Sequence, residues 1–135
     1  NNAGLFDVSH MGEVEVRGPQ ATDFVQNLVT NDVSLMNDNQ VFYAMMCYPS
    51  GGVVDDLLVY KHTNDFYLLV INASNVAKDF RWMEENVGSY NVELKNISED
   101  VSEIALQGPK AEEILQELTE TKLSGIGFFY FKTDV

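Results

Sequence analysis

Apolar residues recur along this chain in two rhythms. Val41–Tyr48 (VFYAMMCY), Val53–Tyr60 (VVDDLLVY) and Phe66–Ile71 (FYLLVI) are short apolar runs rich in β-branched and aromatic residues, a pattern that predicts strands. Pro49-Ser50-Gly51-Gly52 predicts a hairpin loop between the first two, and Asn64-Asp65 a turn before the third. From Ser74 to Val87 the rhythm changes: Val76, Phe80, Met83 and Val87 fall on one face at helical spacing. Asn91–Asn96 and Val101–Leu106 predict further strands, and Phe128–Val135 a last one with no partner following it.

The pattern also repeats. Val14–Thr30 (VEVRGPQATDFVQNLVT) aligns without a gap on Ile104–Glu120 (IALQGPKAEEILQELTE), 90 residues later. Each copy reads as a short strand, a Gly-Pro pair and an amphipathic helix. Gly18 and Gly108 allow a tight exit from the strand, and Pro19 and Pro109 suit the first helical turn, where a missing N–H is harmless. Phe24, Val25 and Leu28 form the apolar face of one helix; Ile114, Leu115 and Leu118 form that of the other. The expected fold class is α+β: a mostly antiparallel sheet with helices on one side, containing an internal strand–Gly-Pro–helix duplication. No linker or charge block divides residues 1–135, so a single domain is expected.

Charge and composition narrow the partners. Twenty-one acidic and 8 basic residues leave a net charge of −13, which repels nucleic acid and anionic lipid. No apolar stretch is long enough to cross a membrane as a helix. One cysteine, Cys47, forms no internal disulfide and reads as a small buried hydrophobe. Two histidines, His10 and His62, are too few for a zinc site, and no metal is expected. The opening Asn1-Asn2-Ala3-Gly4 lacks an initiator Met and a basic leader. With the unpartnered strand at the other end, this suggests a segment of something longer.

The candidate chemistry lies in Gly51–Tyr60, GGVVDDLLVY. Successive strand residues point to opposite faces, so only one of Asp55 and Asp56 shares a face with Val54, Leu58 and Tyr60. That face is expected to point inward and to carry Asp56 with it. An unpaired buried carboxylate is costly or shifts its pKa upward. Two readings stand: the pair closes the hairpin and caps backbone amides, or one member is a partly buried acid that binds a ligand or handles a proton. Asp7-Val8-Ser9-His10 holds the residue types of a hydrolytic triad, but triad members converge from separate elements and no Gly-x-Ser-x-Gly elbow is present; His10 reads as a hydrogen-bonded loop residue. Met11, Met45, Met46, Tyr43 and Tyr60 read first as core. The acidic helix positions Glu84, Glu85, Glu112, Glu113 and Glu117 read as solvated surface.

These residues also resemble a known family. GLFDVSHMGEVEVRGP (4–19), LVTNDVS (28–34), YAMMCYPSGGVVDDLLVY (43–60), NASNVAKDF (72–80) and ALQGPKAEEILQ (105–116) together are similar to the aminomethyltransferase of the glycine cleavage system, the T-protein family. The resemblance implies a folate-binding domain fragment of a longer multi-domain enzyme. That enzyme passes the one-carbon unit of an aminomethyl group on the lipoyl arm of H-protein to tetrahydrofolate, a co-substrate, with release of ammonia. It implies Asp56 as the functional acid and Met11, Tyr43, Leu58, Tyr60 and Asn72 as residues lining the pterin, leaving Asp55 a structural role at the hairpin mouth. It further implies H-protein and folate as partners, and the cytoplasm in a bacterium or the mitochondrial matrix in a eukaryote as the compartment. Other folate-dependent one-carbon enzymes of the superfamily, demethylases and the dimethylglycine and sarcosine dehydrogenases, are alternatives, as is a non-catalytic folate-binding module. The chain departs from the family at Tyr48-Pro49-Ser50, where a polar Asn/acidic pair is usual. It also holds no counterpart of the later glutamate and arginine contacts to folate, so the segment alone is expected to have weak or no activity.

Overall fold

The computed structural model describes residues 2–133. In chain order the elements are β1 (Gly4–Asp7), β2 (Gly12–Arg17), α1 (Ala21–Leu28), β3 (Gln40–Cys47), β4 (Val53–Thr63), β5 (Phe66–Ile71), α2 (Val76–Asn86), β6 (Glu93–Asn96), β7 (Ile104–Gln107) and α3 (Ala111–Gln116), with short 3-10 turns at Val33–Leu35, Ala73–Asn75 and Leu123–Gly125. Five strands form one sheet in the order β3-β4-β5-β2-β6, and β1 pairs with β7 in a second, two-stranded sheet. Every pairing is antiparallel.

The core forms on one face of the five-stranded sheet. Val14 and Val16 of β2, Ala44 and Met46 of β3, Leu57 and Val59 of β4, and Tyr67, Leu69 and Ile71 of β5 point to it. Helix α1 closes it with Ala21, Phe24, Val25 and Leu28, and α2 with Met83. Each large side chain buried there contributes about 1.5–3 kcal/mol. Both helices therefore lie on one side of the sheet; the other side is partly open, with Glu13, Val41 and Val70 buried there. The expected α+β architecture is what the structure shows.

The duplication is visible in three dimensions. Gly18 and Gly108 share the same left-handed backbone, φ +136° and +132°. A side chain at Gly18 would meet the Asn91 carbonyl at 2.5 Å, so the glycine is required. From the last turn of each helix a glutamine staples the turn that follows. Gln26 Oε1 accepts from the Val33 N–H at 2.9 Å, and Gln116 Oε1 from the Leu123 N–H at 3.0 Å. The same side chains donate to the Asn31 and Thr121 carbonyls. All of these partners are 90 residues apart. The copies differ in packing: α1 is sunk in the core, whereas no residue of α3 is buried and Leu118 just after it is 80% exposed.

Several expectations need correction. The strand expected at 128–135 is not formed among the described residues; Tyr130 makes a single bridge to Gln40, and Asp134 and Val135 lie outside them. The neighbouring Phe131 instead packs edge-on against Tyr60 and His62. Cys47 is half-buried rather than fully buried, because the pairing register shifts beside it. The short strand β1 had too few residues to show a period.

Candidate functional site

The aspartate pair sits where β4 departs from regular pairing. Met46 is opposite Asp55, yet Cys47 is opposite Val53, so Val54 is an extra residue in a β-bulge. The bulge breaks the alternation. Val54 turns into the core beside Asp55, Leu57 and Val59, while Asp56, Leu58 and Tyr60 keep one face together. That face is the open one, opposite the helices. The expectation that Asp56 points inward with Val54 is thus overturned: Asp55, 8% exposed, is the buried carboxylate, and Asp56 is half-buried.

Register then fixes who shares the open face. One row runs Tyr43–Leu58–Val70–Glu13 across four strands, and the next runs Val41–Tyr60–Leu68–Glu15. Met45 is opposite Asp56. Met11 precedes Gly12 and Asn72 follows Ile71, a Cα-paired couple, so both sit level with Asp56 just beyond the strand ends. The structure thus brings Met11, Tyr43, Asp56, Leu58, Tyr60 and Asn72 to one region. Tyr43 and Met45, read first as core, are exposed here, while Met46 is core. Tyr43 donates its hydroxyl to Asp56 Oδ2 at 2.7 Å. That bond to a carboxylate pushes the Tyr43 phenol up, so it stays a proton donor. Burial, and then the nearby Glu103 charge, raise Tyr60.

Asn72 does something more specific than line a face. Its Nδ2 donates to the Asp56 carbonyl at 3.0 Å and to Asp55 Oδ1 at 3.1 Å. Asn75 Nδ2 donates to Asp55 Oδ2 at 2.9 Å. Burial works to raise the Asp55 carboxyl, but the contact with Asp79 and the amides of Asn75 and Asn72 outweigh it and hold it below the usual range. The structural role expected of Asp55 takes this form: it ties the hairpin mouth to the start of α2.

Three acids near this region escaped the sequence reading. Glu13 is 3% exposed, its Oε2 has no hydrogen-bond partner, and burial and then Glu103 raise its pKa. Glu103 is likewise raised by burial, with Oε2 unpartnered. Asp79 of α2 is fully buried. Its signal was available: position 79 lies three residues after Val76 and four before Met83, inside the buried stripe. Nothing in GEVEV marked Glu13 as covered. His10 is exposed and, among the described residues, makes no side-chain hydrogen bond, contrary to expectation. Ser9 Oγ binds the Glu103 backbone and Asp7 caps the Ser9 N–H, so no triad forms.

The profile of the family described as the GCVT N-terminal domain matches residues 1–134. The chain belongs to the GCVT N-terminal domain family. An aminomethyltransferase of Alkaliphilus oremlandii is 67% identical to it over 135 residues, 100% of this chain and 37% of that protein. One from Thermoanaerobacter pseudethanolicus is 63% identical over the same shares. The chain therefore spans little more than a third of the curated relatives it matches. Among solved structures, the glycine cleavage system aminomethyltransferase T from Bartonella henselae superposes with a TM-score of 0.84 at 28% identity, over 96% of this chain and 35% of that one. A heterotetrameric sarcosine oxidase from Corynebacterium shares the fold, with a TM-score of 0.58 at 18% identity, over 90% and 57% of the two chains. In this GCVT N-terminal domain, no group of His, Cys, Asp and Glu able to hold a metal occurs among the described residues. No helix there is long and apolar enough to cross a membrane.

Proposed function

We propose that this chain is the folate-facing core of a glycine-cleavage aminomethyltransferase. In this reading the one-carbon unit of an aminomethyl group on the lipoyl arm of H-protein passes to tetrahydrofolate, and ammonia is released. The observation that carries it is the Asp56–Tyr43 pair on an open, partly apolar sheet face, in a chain 67% identical to an aminomethyltransferase.

The chemistry follows from the groups at that face. Leu58, Tyr60 and Met11 offer flat apolar surface to a pterin ring. Asp56 keeps one carboxylate oxygen on Tyr43 and has remaining lone pairs for the reacting centre. A fixed carboxylate there stabilises the positive charge that develops as ammonia leaves and orients the accepting folate nitrogen. Asn72 spends both amide hydrogens on Asp55 and Asp56, so it acts on the site by holding it, with Oδ1 left to accept. The proposed compartment is the cytoplasm, or the mitochondrial matrix in a eukaryotic source.

The test is Asp56→Asn in the complete natural polypeptide carrying this sequence, assayed with aminomethyl-loaded H-protein and tetrahydrofolate. Turnover is expected to fall by about 10²-fold or more, with thermal stability unchanged within about 1 kcal/mol. Unchanged turnover would leave Asp56 a structural residue. Parallel assays with small N-methylated donors separate this reading from the demethylase-like one.

A further inference from the structure

Behind the open face, three consecutive residues of β4 are gripped from α2 and the turn before it. Lys78 Nζ donates to the carbonyl of Val54, the bulged residue, at 2.5 Å. Asn72 and Asn75 hold both oxygens of Asp55, and Asn72 also holds the Asp56 carbonyl. Asp79 completes the set. It is fully buried, takes Lys78 Nζ on Oδ1 at 2.6 Å, and its Oδ2 has no donor facing it. Asp79 and Asp55 are in side-chain contact, and sharing one proton relieves the repulsion of two such carboxyls: a protonated Asp79 then donates to Asp55 and its orphaned oxygen is satisfied. This matters for geometry because Asp55 and Asp56 are the last residues of β4 in regular pairing with β3 before the bulge. If that end of the pairing frays, Asp56 loses its fixed place beside Tyr43.

We propose that Asp79 is a positioning residue: protonated, it locks Asp55 and the Val54 bulge and so holds Asp56 at the open face. This rests on the reading of Asp56 as the functional acid. Two charged groups face Asp79: Asp55 from β4 and, on its own helix, Lys78. Burial, and then the contact with Asp55, push Asp79 up to about 6, while Lys78 pulls it back. Rising pH through that range removes the shared proton and sets two carboxylates against each other.

The test compares kcat against pH for the complete polypeptide and its Asp79→Leu and Asp79→Asn variants. The parent is expected to lose kcat as pH rises through about 6. Asp79→Leu loses about tenfold in kcat at every pH, with KM for tetrahydrofolate changed less than about twofold. Asp79→Asn, whose amide still donates to Asp55, restores most of that kcat and lacks the alkaline decline. Equal losses in both variants, or a parent-like pH profile in Asp79→Asn, would overturn the proposal. If Asp79→Leu does not fold, the Asp79→Asn profile decides alone. Asp56→Asn separates the two readings: full turnover there removes the underlying assignment of Asp56. A collapse there, with Asp79→Leu unaffected, removes only the role of Asp79.

Discussion

At the scale of single residues, neighbouring acids on this chain have different fates because burial differs by one or two positions. Asp56 is half-buried with a phenol to bind it; Asp55 is buried and saturated with amides; Glu13 is buried with nothing on Oε2. The last of these makes a pH prediction. Glu13 is raised above its ordinary 4.5 by burial and then by Glu103. A raised carboxyl contributes stability that is full below its unfolded pKa and is lost as pH rises through the folded value. Glu13→Gln should therefore be more stable than the parent at mildly alkaline pH, and the gap should close as pH falls toward 4.5. Thermal unfolding across pH checks this; a gap that widens on acidification would show that Glu13 gains a partner on ionising. The sequence made Asp56 legible through its neighbours Leu58 and Tyr60. Glu13 stayed hidden because its cover comes from the distant segment that carries Ser98 and Glu103.

At the scale of elements, two helices with nearly the same sequence rhythm have opposite packing. Helix α1 buries Phe24 completely, and α3 buries nothing. Phe24→Ala should cost about 3–5 kcal/mol. Ile114→Ala, at the equivalent position of the second copy, should cost less than about 1 kcal/mol. Denaturant unfolding of both variants reads the difference; equal costs would mean that α3 is packed in solution. The strands were legible where alternation held: β5 keeps Tyr67, Leu69 and Ile71 on the core face. In β4 alternation failed at one residue. Val54 is apolar and suits either face, so the bulge left no mark in the sequence; it sends Val54 to the core face with Asp55, away from Asp56. Lys61 shows the same limit further along. It lies on the core face of β4, buried, with Nζ donating to the Met36 carbonyl. A lysine in an apolar run gives no hint of a carbonyl waiting 25 residues away.

At the scale of the whole molecule, the charge of −13 meets a site proposed to take an anionic ligand. Few cations stand ready near it. Arg17 is bound to Glu15 and stacked on Phe66, Lys78 to Asp79, and Lys61 to a carbonyl. Calorimetry of this chain with tetrahydrofolate should therefore give binding weaker than about 100 μM, under about 5.5 kcal/mol. Micromolar affinity would show that the glutamate tail of folate needs no further basic contacts. The exposed apolar surface lies elsewhere: Leu5, Phe6, Ile104, Leu118 and Phe128 are all exposed on or near the second copy of the repeat.

The sequence by itself determined the periodic parts: the strand runs, the helix stripe, the duplication at 90 residues, and the grouping of Asp56 with Leu58 and Tyr60. These follow from local spacing, which secondary structure reads directly. Only the tertiary structure decided which face of the sheet the helices cover, and hence that Asp55 is the buried aspartate and Asp56 the available one. It also decided that Asp79, Asn72, Asn75 and Lys78 converge on three residues of β4. Burial and partnership depend on chain segments far apart in sequence, and one bulged residue is enough to move Val54 to the face opposite Asp56.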